Sequence, residues 1–182
     1  MSKCCHALLS RASGGTLANV IERQALSVGE VMSSMQQCTA SVQYLHQQSP
    51  PIVHRDIKLD NFLLTGQGTI KLCDFGSVTS RVVTPDAMQF KEISMASEEM
   101  QRNTTPMNRT PEMLQMSDAH GKVVGLPGDI WALGTSLYML CFRNHPFPVR
   151  GFRLGLEQLH LLWPIVLYLW VAMPISTPVT KC

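Results

Sequence analysis

The stretch IVHRDIKLDNFLL, residues 52–64, constrains the fold more than any other part of this 182-residue sequence. It begins and ends with apolar residues, which indicates that the chain is buried at both ends of the stretch. Charged side chains and an asparagine lie between these ends, where a buried run would otherwise continue. Buried polar groups need partners, so we expect a loop that holds them in a fixed arrangement.

The segments around this loop predict a mostly α-helical domain with a small β-hairpin. Residues 13–24 predict a glycine turn and a short helix, and residues 128–142 predict a longer helix. The runs NFLLT and TIKLCD, on either side of the glycines at 66 and 68, predict the hairpin. Residues 77–110 show no steady period and are expected to form a long loop. A long amphipathic helix is predicted before residues 52–64, on the spacing of Val28, Val31, Met32, Met35, Cys38, Val42 and Leu45.

The polar residues of the stretch follow the pattern H-R-D-x-K-x-x-N, and D-F-G occurs downstream at residues 74–76. These two patterns match the catalytic loop and the Mg²⁺-binding segment of the protein-kinase signature. Either motif alone is also explained by a solvated charged turn or a chance tripeptide. Both occur in order, and the 13 residues from Asn61 to Asp74 fit a hairpin, so the pair favours a kinase.

Phosphoryl transfer depends on positioned charges more than on covalent help from the protein. Asp56 is predicted to accept the proton of the substrate hydroxyl, and Lys58 to neutralise charge on the phosphate in transfer. Asn61 and Asp74 are predicted to hold the Mg²⁺ ions that bridge the phosphate oxygens of ATP. ATP and Mg²⁺ are therefore the expected cofactors. The residues predicted to bind them are Asn61, Asp74, Phe75 and Gly76.

The run TPMNRTPE, residues 105–112, resembles the end of a kinase activation segment. By that resemblance Thr105 contacts the catalytic Asp56, which favours serine or threonine over tyrosine as the acceptor. Thr110 and Glu112 then belong to the loop that binds the substrate.

The run DIWALG, residues 129–134, resembles the start of the central buried helix of the kinase large lobe. By that resemblance Asp129 braces the backbone of His54 and Arg55, while Trp131 packs in the core. These four residues are therefore predicted to have structural roles.

The runs TIKLCDFGS, RNTTPMNRTPE and LCFRNHPF resemble the Numb-associated kinase family, and within it the cyclin-G-associated kinase branch. The resemblance covers roughly residues 8–148 as one collinear block. It implies a cytoplasmic serine/threonine kinase that phosphorylates clathrin adaptor subunits and regulates vesicle coats in endocytosis. Asn108 stands where the family has a tyrosine, so the peptide selectivity of this chain is expected to differ.

Two parts of the kinase signature do not occur in the sequence: the glycine-rich loop G-x-G-x-x-G and a strand lysine in a V-A-I-K-like run. Residues 1–148 are therefore expected to form a partial kinase domain, with the hinge and the large lobe but without the small lobe. Such a chain is expected to be inactive by itself. The alternative is a non-catalytic isoform that acts as a binding module or decoy.

Residues 149–182 show no likeness to the kinase helices that usually follow. From 158 to 180 there is no Asp, Glu, Lys or Arg, a length near the roughly 20 residues of a membrane span. A single span, an unstructured end and a helix that covers exposed core remain alternatives. Glu112 loses its usual arginine partner in this interpretation, and Arg150 or Arg153 are the candidate substitutes.

Composition excludes other classes of protein. A net charge of +2 with no basic cluster argues against a dedicated nucleic-acid binder. The six cysteines are scattered without a C-x-x-C pair, as expected for reduced thiols in the cytoplasm. Cys73, just before D-F-G, is expected to be an inert buried thiol at the back of the nucleotide pocket.

Overall fold

The computed structural model describes residues 14–81, 83, 85–114 and 124–147. Two short strands, β1 (Phe62–Leu64) and β2 (Ile70–Leu72), form an antiparallel sheet, and helices account for most of the rest. The predicted fold class, mostly helical with a small hairpin, is therefore confirmed. The described α-helices are α1 (Leu17–Arg23), α2 (Val28–His46), α3 (Phe90–Asn103), α4 (Pro111–Leu114) and α5 (Leu126–Phe142).

Helix α2 is the long amphipathic helix that the sequence predicts. Its first turn is closed by a capping box, in which Ser27 Oγ accepts from the backbone N–H of Glu30 and the Glu30 carboxylate accepts from Ser27 N–H. The helix packs against α5 and β2. Val28 is 81% exposed and Met32 is 42% exposed, so the N-terminal end of the predicted apolar stripe faces outward. The buried part of the stripe consists of Val31, Met35, Cys38, Val42 and Leu45.

The hairpin brings the chain back to the catalytic loop. Phe62 pairs with Leu72 and Leu64 with Ile70. Gly68 lies in the turn with φ of +78°, a region that favours glycine. Because the pairing runs up to Leu72, Cys73 lies beside the catalytic loop, and its N–H donates to the Asn61 carbonyl over 2.9 Å.

The prediction of a long loop over residues 77–110 is wrong for its second half, where α3 spans Phe90–Asn103. The Glu92 carboxylate accepts from Gln89 N–H and closes the first turn. Only Ala96 and Met100 are fully buried on this helix, whereas Phe90 is 85% exposed. Ile93, Ala96 and Met100 are spaced as on one face of a helix, but this stripe is short and lies beside an exposed aromatic residue, so the prediction missed it.

Two apolar clusters organise the described residues. The larger one lies between α2, the hairpin and α5, and it includes Met35, Phe62 and Leu133. The smaller one holds α3 and α4 in place, and it consists of Val83, Ala96, Met100, Met113 and Val124. The catalytic loop joins the larger cluster through Ile57 and Leu59, which are buried, so its polar residues are fixed by apolar neighbours.

The predicted boundary after residue 148 and the hydrophobic stretch at 158–180 lie outside the described residues. Among the helices that the structure describes, none is long and apolar enough to cross a bilayer. Of the cysteines, Cys38 is buried, Cys73 is partly buried and Cys141 is exposed, and all three are free thiols.

Candidate active site

The Asp56 carboxylate lies at the centre of a hydrogen-bonded cluster. Thr105 Oγ1 donates to Oδ1 over 2.6 Å, and Lys58 Nζ donates to Oδ2 over 2.8 Å. Lys58 Nζ also donates to Thr105 Oγ1 over 3.0 Å. Asn61 Nδ2 lies 2.7 Å from the Asp56 carbonyl oxygen and 3.2 Å from Oδ2. Lys58 and Asn61, both predicted for catalysis, therefore contact Asp56, and so does Thr105, as predicted.

The environment of Asp56 keeps its carboxyl group ionised. Burial raises its pKa, but the hydrogen bonds from Lys58, Thr105 and Asn61 and the charge of Lys58 together outweigh burial, so the pKa lies below its ordinary value. An ionised carboxylate can only accept hydrogen bonds. This group is therefore available as an acceptor for a hydroxyl proton at neutral pH.

The buried side chain of Asp129, on α5, holds the catalytic loop through its backbone. Its Oδ2 accepts from His54 N–H over 2.8 Å and its Oδ1 from Arg55 N–H over 2.9 Å. His46 Nε2, at the end of α2, lies 2.9 Å from Oδ2. Since the carboxylate accepts, the proton in this contact is on His46 Nε2. His46 was not among the predicted site residues, and no motif in the sequence indicates its contact.

Arg55 adopts a left-handed backbone conformation with φ of +70°, which is uncommon for a residue other than glycine. Its side chain is 7% exposed. Nε donates to the Ser77 carbonyl, and one terminal nitrogen lies 2.6 Å from Glu99 Oε1. Arg55 therefore connects the catalytic loop with both the D-F-G segment and α3. No motif in the sequence indicates the contact of Glu99 with Arg55.

His54 packs against the D-F-G segment. Its Nε2 lies 3.2 Å from the Cys73 carbonyl oxygen, and its ring meets the Phe75 ring edge-on at 5.4 Å between centroids. Burial lowers the pKa of His54, so the ring is neutral and its Nε2–H donates to the carbonyl. The two motifs are thereby joined by side chains as well as by the backbone bond to Asn61.

Asp74 and Asn61 are the residues predicted to bind a metal ion, and their donor atoms fit Mg²⁺. Asp74 is exposed, with a left-handed backbone (φ +61°), and its Oδ1 accepts from Gly76 N–H over 3.4 Å. Asn61 Nδ2 is occupied by Asp56, which leaves the Asn61 side-chain oxygen as an acceptor for a cation. Within the described ranges no group of three or more His, Cys, Asp or Glu side chains forms a metal site. Mg²⁺ bound with phosphates needs only one or two carboxylates, so this set is sufficient.

The predicted substrate loop leads from Thr105 to α4. Thr110 is buried, and its Oγ1 accepts from Met113 N–H over 3.2 Å at the start of that helix. Glu112 lies on α4, partly buried, and forms no ion pair with a described residue. Its proposed partners Arg150 and Arg153 lie outside the described residues.

Asn108 joins the substrate loop to the catalytic loop. Its Nδ2 donates to the Ile57 carbonyl over 2.9 Å, and its Oδ1 lies 3.1 Å from His145 Nε2 and 3.3 Å from Thr135 Oγ1. The sequence marked this position as unusual but gave no indication of these partners. Trp131 stacks on Phe147 with 5.7 Å between ring centroids, beside this group.

Comparison with known proteins agrees with this geometry. The family model for the protein kinase domain matches residues 3–165. Actin-regulating kinase 1 of Saccharomyces cerevisiae is 39% identical over 122 residues, which are 67% of this chain and 18% of the relative. Actin-regulating kinase PRK1 of the same yeast is 36% identical over 126 residues, 69% of this chain and 15% of the relative.

A third relative, serine/threonine-protein kinase ppk30 of Schizosaccharomyces pombe, is 33% identical over 150 residues, 79% of this chain and 15% of that protein. The chain thus spans less than a fifth of the length of these three curated relatives. The match to the family model nevertheless covers most of the chain, including both motifs and α5. The chain therefore belongs to the protein kinase domain family and has serine/threonine kinases among its homologues.

Proposed function

We propose that the chain carries the substrate side of a centre that transfers the γ-phosphoryl group of ATP to serine and threonine hydroxyls of proteins. The observation that supports this most is the joint contact of Thr105 and Lys58 with the Asp56 carboxylate. It brings an anionic acceptor, a cation and a residue of the substrate loop within hydrogen-bonding distance of one another.

Asp56 is proposed to bind the acceptor hydroxyl as an ionised carboxylate. Its lowered pKa makes it a weak base, which suits a loose transition state in which the hydroxyl loses its proton late. The main contribution of Asp56 is then to orient the hydroxyl oxygen towards phosphorus. Lys58 is proposed to stabilise the negative charge on the phosphoryl oxygens, because its ammonium group already lies beside the carboxylate.

Asn61 and Asp74 are proposed to hold Mg²⁺ with ATP. Bound there, Mg²⁺ neutralises negative charge on the phosphate oxygens. The chain's own residues fix these two ligands: Asp56 orients the Asn61 amide, and Gly76 N–H binds the Asp74 carboxylate. Phe75 contributes by packing on His54, which keeps the D-F-G segment against the catalytic loop.

The protein substrates are proposed from likeness alone. The resemblance to the Numb-associated family suggests clathrin adaptor subunits, and the names of two relatives refer to regulation of actin. Both proposals imply a cytoplasmic enzyme. A panel of purified adaptor subunits and actin-associated proteins, offered as substrates, would distinguish between them.

The test of catalysis joins the chain, at its amino end, to a kinase small lobe that supplies the glycine-rich loop and the strand lysine. With Mg–ATP and peptides that differ only in Ser, Thr or Tyr, we expect transfer to Ser and Thr. Asp56→Asn is expected to lower kcat by about 10²–10⁴-fold, the usual contribution of a positioned acid or base. Asp60→Asn is the matched control, since Asp60 is an exposed carboxylate of the same loop.

Transfer that survives Asp56→Asn would contradict the assignment of Asp56, and transfer to Tyr alone would contradict the acceptor class. The 182-residue chain without an added lobe is expected to transfer little or no phosphate, because no glycine-rich loop or V-A-I-K-like lysine occurs in its sequence. Asp56-dependent transfer by the purified chain would contradict that expectation.

The second candidate function is a binding module or decoy. Its support is that the substrate loop is held by groups independent of ATP, including Asn108 on the Ile57 carbonyl. We expect such a module to capture a substrate protein equally well with Asp74→Asn. Loss of capture in that variant would favour the catalytic proposal instead.

A further inference from the structure

The Arg55 guanidinium requires a negative partner. Its side chain is 7% exposed, and a cation so far removed from water is stable only with an anion nearby. The Glu99 carboxylate on α3 supplies this charge at 2.6 Å. The other side-chain hydrogen bond described for Arg55 goes to the Ser77 carbonyl, which is neutral.

Glu99 lies among charges from three segments. Arg55 belongs to the catalytic loop, Arg81 follows the D-F-G segment, and Arg102 is on α3. The hydrogen bond from Arg55 is the largest contribution to a lowered Glu99 pKa; burial opposes it, and the charges of the three arginines add to it. Two further carboxylates of α3, Glu92 and Glu98, line the same open groove as Arg81 and Arg102. Glu99 is thus ionised at neutral pH, among charges of both signs.

The position of α3 determines where the substrate loop begins. Asn103 Nδ2 donates to the Glu99 carbonyl over 2.9 Å, and Thr104 Oγ1 donates to the Met100 carbonyl over 2.6 Å. The next residue is Thr105, whose hydroxyl contacts Asp56. Both Glu99 and Thr105 therefore contact the catalytic loop, Glu99 at Arg55 and Thr105 at Asp56. The ion pair at Glu99 helps to fix the segment between these two contacts.

In many kinases the activation segment is ordered when a phosphate group is added to it and pairs with arginines. We propose that Glu99 supplies this charge permanently, so that the segment between D-F-G and T-P-E is held against Arg55 without phosphorylation. Glu99 is then a positioning residue that acts through Arg55. The inference rests on the proposed function, in which this segment presents the substrate to Asp56.

Hydrogen exchange of the purified 182-residue chain tests this without ATP or Mg²⁺. The amides of α3 are expected to be equally protected before and after phosphatase treatment. Glu99→Gln keeps the size of the side chain and removes its charge, and it is expected to speed exchange in α3 about tenfold at pH 7, the effect of a contact worth about 1.4 kcal/mol. Glu98→Gln, an exposed carboxylate on the same helix, should leave exchange unchanged. The amides of α2 report whether the fold is intact.

The wild-type chain provides a second measurement that needs no variant. The Glu99 pKa is lowered, so the ion pair is complete above the ordinary carboxyl pKa and is lost as the pH falls through the lowered value. Extra exchange in the last two turns of α3, away from the Glu92 cap, is expected to appear relative to α2 on acidification of the wild type, and to be absent in Glu99→Gln.

Exchange in Glu99→Gln that equals the wild type at pH 7 would overturn the proposal, as would protection of α3 that disappears on phosphatase treatment. If Glu99→Gln also exposes α2, the acid titration of the wild type decides: relative exchange in α3 that stays constant with pH overturns the proposal. Because nucleotide is absent, a failure of the phosphoryl-transfer proposal leaves these outcomes unaffected.

Discussion

Replacing Asp129 with asparagine removes the carboxylate that holds the catalytic loop from α5. The residue is 1% exposed and accepts three hydrogen bonds, two from backbone N–H groups and one from His46. Asparagine keeps one acceptor oxygen and replaces the other with an NH₂ group. If the oxygen stays on Arg55 N–H, the NH₂ group faces the His54 N–H, and two donors meet in a buried place.

The cost follows from these contacts. A hydrogen bond to a charged group contributes about 1.5–3 kcal/mol, and an unsatisfied buried donor costs about 1–3 kcal/mol. His46 can change tautomer and accept from the new NH₂ group, which recovers part of the loss. We therefore expect Asp129→Asn to lower the free energy of unfolding by about 2–4 kcal/mol. That is a large share of the roughly 5–15 kcal/mol typical of a domain.

The assay is urea unfolding of the purified chain, followed by circular dichroism, together with amide exchange at His54 and Arg55. We expect a lower urea midpoint and faster exchange at these two amides than elsewhere in the loop. Asp60→Asn is the control, because an exposed substitution usually changes stability by less than about 0.5 kcal/mol. An unchanged midpoint and unchanged exchange at the two amides would refute the bracing role of Asp129.

Three further predictions concern the site and its pH dependence. In the small-lobe fusion, Thr105→Val is expected to lower kcat by about 10–100-fold, since it removes a hydrogen bond to a charged group worth about 1.5–3 kcal/mol. Thr105→Ser keeps the hydroxyl group and should retain activity. Equal rates in the two variants would contradict this role of Thr105. Gly76→Ala is expected to weaken binding of Mn²⁺, used as a probe for Mg²⁺, because a Cβ there would lie 3.2 Å from Asp74 Oδ1. Gly29→Ala is the control, since a Cβ at Gly29 would have nothing within 4 Å. Equal Mn²⁺ affinity in the two variants would count against the role of Asp74. Burial lowers the pKa values of His54 and His145. Below the ordinary value of 6.5 the unfolded chain therefore takes up protons that the folded chain does not, and the urea midpoint should fall as the pH is lowered from 7 to 5. A higher midpoint at pH 5 would contradict this.

The sequence predicted most reliably the contacts between residues close together in the chain. Asp56, Lys58 and Asn61 lie within five positions of one another, so a single loop conformation joins them. The hairpin was predicted equally well, because its two strands and its turn lie in one continuous run of the sequence. The contact of Asp129 with the loop spans about 75 residues, and only resemblance to kinases indicated it.

Contacts that depend on the position of α3 could not be predicted from the sequence. The helix buries only Ala96 and Met100 completely and leaves Phe90 and Met95 exposed. Ile93, Ala96 and Met100, which face the smaller cluster, do lie three and four positions apart, but the exposed Phe90 and Met95 beside them obscure this short stripe. Without the helix, Glu99 is one of several acids in a polar segment, and nothing singles it out as the partner of Arg55.

Arg55 explains why two distant segments are needed to shape one loop. Its left-handed backbone costs roughly 1–2 kcal/mol for a residue with a side chain. Asp129 offsets this cost through the backbone, by accepting from the N–H of Arg55 itself. Glu99 acts on the side chain, by pairing with the guanidinium. Because one anchor is on α5, in the main core, and the other is on α3, in the smaller cluster, we expect the catalytic loop to keep its conformation only while both clusters are assembled. Loosening α3 should therefore affect Asp56 even though no residue of the loop has changed.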